Sequence, residues 1–158
     1  MVLSSCSSSG TSSATQSASP KSACSLLTAQ EASKALGGTV QSPTQCRTSP
    51  GSQSGGLYHR SAGQGTLLVH VSWDKRAVKT FAVAHSGHAT YPDGAVPPQY
   101  AKVTVAGTPA YWQLSPAAGP VGARAVSSLK GGYVVTINSM GLDQSQVEQA
   151  LADILSHL

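Results

Sequence analysis

The C-terminal segment restricts the fold of this chain more than any other stretch. Asp143 stands at a helix N-cap, Gln146 at the matching capping-box position, and Leu142 and Val147 at the spacing of a hydrophobic staple. Val147, Ala150, Leu151, Ile154, Leu155 and Leu158 then recur as one continuous apolar stripe. Such a stripe must be buried against a complementary surface, and the rest of the chain offers mainly short strand patterns. A helix lying on a sheet is the expected result.

Two more helices are marked. Thr28-Ala29-Gln30-Glu31 forms a capping box, followed by Ala32, Ala35 and Leu36 as the apolar stripe and Gly37-Gly38 as a left-handed stop. Asp74 caps a middle helix in which Val78, Phe81, Ala82 and His85 recur at helical spacing, and Gly87 ends it. Strands are expected over residues 40–47, 57–60, 66–73, 102–106, 110–114, 123–129 and 133–140, with 66–73 the strongest. Gly131-Gly132 between the last two predicts a tight hairpin. Residues 48–56, polar and rich in Gly and Ser, read as a flexible loop. Residues 88–100 read as an irregular loop around the turn signal Pro92-Asp93-Gly94. Short turns join most strands, so the sheet should be largely antiparallel. The expected fold class is α+β, a mostly antiparallel β-sheet packed by N-terminal, middle and C-terminal helices.

At 158 residues the chain suits one domain, and no stretch approaches the ~20 apolar residues of a membrane span. Residues 4–25 are dominated by Ser. They bury too little apolar surface to offset their ordering entropy and should act as a tether. The expected division is a lipobox remnant and flexible tether over residues 1–23 and a single α+β domain over residues 24–158. Leu3-Ser4-Ser5-Cys6 has the form of a bacterial lipobox: an aliphatic residue, two small residues at the cut, then the cysteine that receives the acyl chains. Only Met1, Val2 and Leu3 precede the small residues, so the basic and apolar parts of a secretory signal are expected upstream. Cys6 is thus the expected lipidation site, carrying a palmitate-type anchor.

The chain has three cysteines, an odd count that needs an explanation in a secreted protein. Acylation of Cys6 supplies one and leaves Cys24 and Cys46 as a pair. In an oxidising compartment they should form a disulfide that stabilises the fold by roughly 3 kcal/mol. The rival reading, a metal-binding pair, lacks a third cysteine and has no histidine nearby in sequence.

Ten Lys and Arg stand against six Asp and Glu, and apart from Lys75, Arg76 and Lys79 the basic residues are scattered. Nucleic-acid binders concentrate positive charge on one face, so no nucleic-acid partner is expected. The acids all have structural readings. Glu31, Asp74 and Asp143 serve helix N-termini, Asp93 a turn, and Glu148 and Asp153 the polar side of the last helix. Paired-carboxylate chemistry needs two acids converging in a cleft, and none is spare. There is no Gly-x-Ser-x-Gly elbow, and Ser52-Gln53-Ser54-Gly55-Gly56 lies in the stretch read as a loop. No catalytic residue, metal ligand or cofactor is assigned.

The remaining candidates are aromatic. Tyr91 and Tyr100 bracket the proline-rich loop, Tyr111-Trp112 lies on the following strand, and His85 and His88 stand where the middle helix ends. Together they are the expected surface for an apolar ligand or a partner protein, because aromatics beside a proline-stiffened loop lose little entropy on binding.

The pattern Cys24-Ser25-Leu26-Leu27-Thr28-x-x-Glu31-Ala32-x-x-Ala35-Leu36-Gly37, followed by Cys46, resembles a family of actinobacterial envelope lipoproteins of unknown function. Val103-x-Val105-x-Gly107-x-x-Ala110-Tyr111 and the Gly-Gly hairpin before the last helix are similar to it as well. The resemblance implies an extracytoplasmic protein on the outer face of the cell membrane, with no assigned reaction. The expectation is a lipid-anchored, non-enzymatic binding module. The alternatives are a lipid or glycolipid carrier, which needs an apolar cavity between sheet and helix, and an envelope hydrolase, which needs His85 or His88 beside a serine or a metal.

Overall fold

The computed structural model describes residues 19–41, 43, 45–49, 52–63, 65–93, 97–114 and 124–158. Cys6 and most of the expected tether lie outside them. In chain order the elements are α1 (Ala23–Leu26), α2 (Ala29–Leu36), β1 (Gln45–Ser49), β2 (Gln53–His59), β3 (Thr66–Ser72), α3 (Lys75–His85), β4 (Gln99–Val105), β5 (Thr108–Leu114), β6 (Arg124–Lys130), β7 (Tyr133–Met140) and α4 (Gln144–Ser156). The strands form one seven-stranded sheet in the order β1-β2-β3-β7-β6-β5-β4. Each neighbouring pair is antiparallel. The fold is α+β.

Alternation along the strands separates two faces. On the inner face, Gly56, Val69, Ile137, Val126 and Trp112 make one cross-strand row, and Ser54, Val71, Val135, Ser128 and Ala110 the next. All are buried. α4 is packed with this face through Val147, Ala150, Leu151, Ile154 and Leu155, each fully buried. A fully buried Leu or Ile contributes about 2 kcal/mol, so this stripe is a large part of the core. α2 packs beside α4, and the two are tied at the surface by His157 Nε2 and Glu31 Oε1, 2.8 Å apart. Both capping boxes form: Thr28 with Glu31, and Asp143 with Gln146.

Hairpin turns follow the glycines. Gly131 and Gly132 have φ of 58° and 84°, as a two-residue turn matched to strand twist requires. The β4–β5 turn does the same with Ala106 at φ 47° and Gly107 at φ 75°.

β2 lies where the sequence reads as a flexible loop. Residues 53–56 are the first half of a central-region strand, paired to β1 on one side and β3 on the other. The apolar alternation that marks other strands is missing because the space beneath α1 is small. Ser54 is buried there with its hydroxyl fully used: it accepts from the Ala23 N–H at 3.0 Å and donates to the Arg47 carbonyl at 3.1 Å. A β-carbon on Gly56 would come within 3.1 Å of Cys24 Sγ and 3.2 Å of the Tyr58 ring. The first strand also shifts. Val40 makes only an isolated bridge to Arg60, and pairing begins at Gln45.

Cys24 and Cys46 form the disulfide, joining α1 to the edge strand β1. Beside it the Tyr58 hydroxyl donates to the Leu27 carbonyl at 2.5 Å. Burial, and then the charge of Glu31, push the Tyr58 phenol up to about 12.

β3 and β4 are separated by an even number of antiparallel steps and so run in the same direction. The chain must cross the sheet between them, and α3 is that crossing, on the outer face. It is held lightly: none of its residues is buried, and Val83 is 45% exposed.

Candidate functional site

The outer face is organised by a single cross-strand row. Arg47, Gly55, His70, Thr136, Ser127, Tyr111 and Lys102 stand opposite one another from β1 to β4. α3 lies over the middle of this row, with Phe81 and Thr80 beside Ser127 and Thr136. A hollow therefore remains on either side of the helix.

The hollow on the β4–β5 side has a volume of about 440 Å3 and is lined by His85, Tyr91, Pro97, Tyr100, Lys102 and Tyr111, among others. That volume is in the range of small-ligand sites. Its wall is largely aromatic. The His85 imidazole stacks on Tyr111, with ring centroids 4.0 Å apart and planes 14° from parallel. Phe81 and Tyr100 both meet the same imidazole edge-on, each at 4.4 Å. Phe81 also meets Tyr111 at 5.8 Å. These are favoured aromatic geometries, each contributing about 1 kcal/mol beyond area burial.

Sequence and fold explain why these side chains converge. Tyr100 and Lys102 alternate on β4, so both point to the outer face, and Tyr111 is directly paired with Lys102. Phe81 and His85 are four apart on α3 and so share one side of the helix. Asp74 fixes the start of that helix by accepting from the Ala77 N–H at 2.8 Å.

Electrostatically the aromatic wall is neutral, with one cation at its edge. Burial lowers the His85 pKa, which favours the uncharged ring. Its Nδ1 is buried and has no hydrogen-bond partner among the described residues. Burial, and then the neighbouring Tyr91 phenol, raise the Tyr100 pKa. Lys102 supplies the cation.

Of the residues singled out from sequence, His85, Tyr91, Tyr100 and Tyr111 come together. Trp112 does not. It follows Tyr111 on a strand, so it points to the opposite face, where it is buried and donates its indole N–H to Glu148 Oε1 at 2.9 Å. His88 is also outside the hollow's lining, exposed beyond the helix end. Lys102 joins His85, Tyr91, Tyr100 and Tyr111 in the lining, and the signal for it is its i, i+2 spacing from Tyr100 on a strand. Ser86, the serine between the two histidines, donates its hydroxyl to the Val83 carbonyl at 2.8 Å rather than to an imidazole. Among the described residues, no three His, Cys, Asp or Glu side chains gather as metal ligands. No described helix is long and apolar enough to cross a membrane.

The other hollow, on the β1–β3 side, has a volume of about 240 Å3 and is lined by Arg47, Ser49, Gly55, Leu57, Leu68 and His70, among others. Nothing in the sequence pointed to it, because half of its wall belongs to the stretch read as a loop.

Compared with known protein families, with curated proteins and with solved structures, the chain matches none.

Proposed function

We propose that this chain is a non-enzymatic binding module of the cell envelope, anchored through a lipid on Cys6, whose working surface is the aromatic hollow between α3 and β4–β5. The observation that carries the binding half of this reading is the stacked His85–Tyr111 pair with Tyr100 set against it. These rings are packed before any ligand arrives, so little side-chain entropy is lost on binding. They present flat, uncharged surfaces, with Lys102 as the one cation at the edge. The ligand class that fits is a flat, largely apolar molecule or an aromatic side chain of a partner protein.

The light packing of α3 suits this role. An element with no buried side chain has low local stability, so the hollow can widen without disturbing the α4 core.

The anchoring half rests on the Leu3-Ser4-Ser5-Cys6 pattern, the Ser-rich stretch after it and the resemblance to actinobacterial envelope lipoproteins. The disulfide fits the same setting, because disulfides persist in oxidising, extracytoplasmic compartments. The lipid-carrier alternative needs free volume between α4 and the sheet. The five inward side chains of α4 are each fully buried there, which favours an open surface site over an enclosed one.

The test is an NMR titration of the chain with indole, a neutral flat probe. Shift changes should centre on His85, Tyr91, Tyr100 and Tyr111, and Tyr100→Ala and Tyr111→Ala should each weaken binding at least fivefold. Shifts centred elsewhere, or unchanged binding in both variants, would contradict the assignment.

A further inference from the structure

We infer that the hollow on the β1–β3 side is a second binding site, independent of the first, and that it takes a phosphate monoester carried on a compact apolar body. The geometry is that of a missing side chain. Gly55 on β2 faces outward between Arg47 on β1 and His70 on β3, in one cross-strand row. Adjacent strands lie about 4.8 Å apart, so the backbones of Arg47 and His70 are about 10 Å apart, with only a glycine between them. Both side chains are exposed and can turn in over that gap.

The gap is not there to make room for packing. A β-carbon at Gly55 would meet nothing nearer than His70 Nδ1 at 3.7 Å, an ordinary contact. A glycine in a strand interior weakens the strand, yet a larger residue fits. This is the opposite of Gly56 next to it, whose β-carbon would press to within 3.1 Å of the disulfide sulfur of Cys24. Gly55 therefore keeps a hollow open to solvent.

The lining selects the ligand. None of the hollow's described lining residues is acidic, while Arg47 and His70 offer donors from opposite sides. A carboxylate has two coplanar oxygens, which one guanidinium fork can satisfy alone. A phosphate monoester carries three free oxygens, enough to accept from Arg47 on one side and His70 on the other. Leu57 and Leu68, paired in the adjacent row, form an apolar shoulder for the body that carries the phosphate. About 240 Å3 is small beside typical ligand cavities, so that body is about the size of one ring. The site shares no lining residue with the aromatic hollow.

Phenyl phosphate is the probe, titrated into the whole chain and followed by NMR. Shift changes should centre on Arg47, Gly55 and His70, and benzoate should bind at least fivefold more weakly. Arg47→Gln and Gly55→Val should each weaken phenyl phosphate binding at least tenfold without lowering the melting temperature. Gly55→Val matters most, because valine favours a strand and fills the hollow without removing any polar group. A parallel arm measures co-sedimentation with phosphatidic acid vesicles. Vesicle binding lost in Gly55→Val identifies the source as a lipid headgroup. Phenyl phosphate binding without vesicle binding identifies a free monoester. Unchanged phenyl phosphate affinity in Gly55→Val and Arg47→Gln, equal affinity for benzoate, or binding in neither arm would overturn the inference.

Discussion

Trp112 and Glu148 meet through one hydrogen bond, indole N–H to carboxylate, at 2.9 Å, and this bond ties β5 to the first turns of α4. Trp112 is only 6% exposed, so its N–H has little access to water. Glu148→Ala leaves that donor unpaired, which costs about 1–3 kcal/mol. Glu148→Gln keeps an acceptor in place and should cost clearly less. Urea unfolding of both variants checks this, and equal stability of the alanine variant and the parent chain would refute it.

The adjacent glycines of β2 should behave differently. Gly56→Ala places a β-carbon 3.1 Å from Cys24 Sγ and 3.2 Å from the Tyr58 ring, which the buried surroundings cannot relieve cheaply. Overpacking of this kind costs about 1–3 kcal/mol. Gly55→Ala meets only ordinary contacts and should be neutral or slightly stabilising. Thermal melts of the two variants separate the positions. The same loss at both would mean that neither the disulfide nor Tyr58 sets the requirement.

These two glycines also explain what could be read in the sequence and what could not. The α4 stripe, both capping boxes and the Gly131-Gly132 turn depend on local patterns of side chain and backbone, and each stands where its pattern indicates. β2 is different. Its first two inward residues are Ser54 and Gly56 because a disulfide and a short helix press on them, and that pressure is visible only once the chain is folded. The candidate sites follow the same division. Phe81 and His85 share a helix side, and Tyr100 and Lys102 a strand face, by local periodicity alone. The row from Arg47 to Lys102 depends on strand order, with β7 set between β3 and β6, and no local pattern encodes that order.

Ala106 is a residue whose backbone the fold uses against its preference. It sits at φ 47° in the β4–β5 turn, a left-handed conformation that costs an L-residue about 1 kcal/mol. Ala106→Gly and Ala106→Asn should each raise stability by up to about 1 kcal/mol, with asparagine benefiting most from its tolerance of this region. A lower melting temperature for both would show that the turn does not hold this conformation in solution.

Glu31 gives the fold a dependence on acid. Burial alone pushes its carboxyl up, but hydrogen bonds from His157 and Thr28, with the His157 charge, outweigh it and hold the pKa below the ordinary value of 4.5. A depressed carboxyl pKa contributes stability that is present above the unfolded value and is lost as pH falls through the folded one. The stability gap between the parent chain and Glu31→Gln should therefore be present at about pH 5.5 and shrink steadily as pH falls below 4.5. Denaturant titrations across that range check the sign. A gap that widens on acidification would contradict the Glu31–His157 and Glu31–Thr28 contacts.

The most direct test of the central claim is native mass spectrometry of the protein released gently from the membranes of a bacterial host that has a lipoprotein-processing pathway, compared with its Tyr111→Ala variant. The expected result is an acyl mass on Cys6 in both proteins, with a retained small molecule on the parent chain that the variant lacks. Absence of acyl mass on Cys6, together with the same bound species or none on both proteins, would contradict a lipid-anchored binding module working through the His85–Tyr111 hollow.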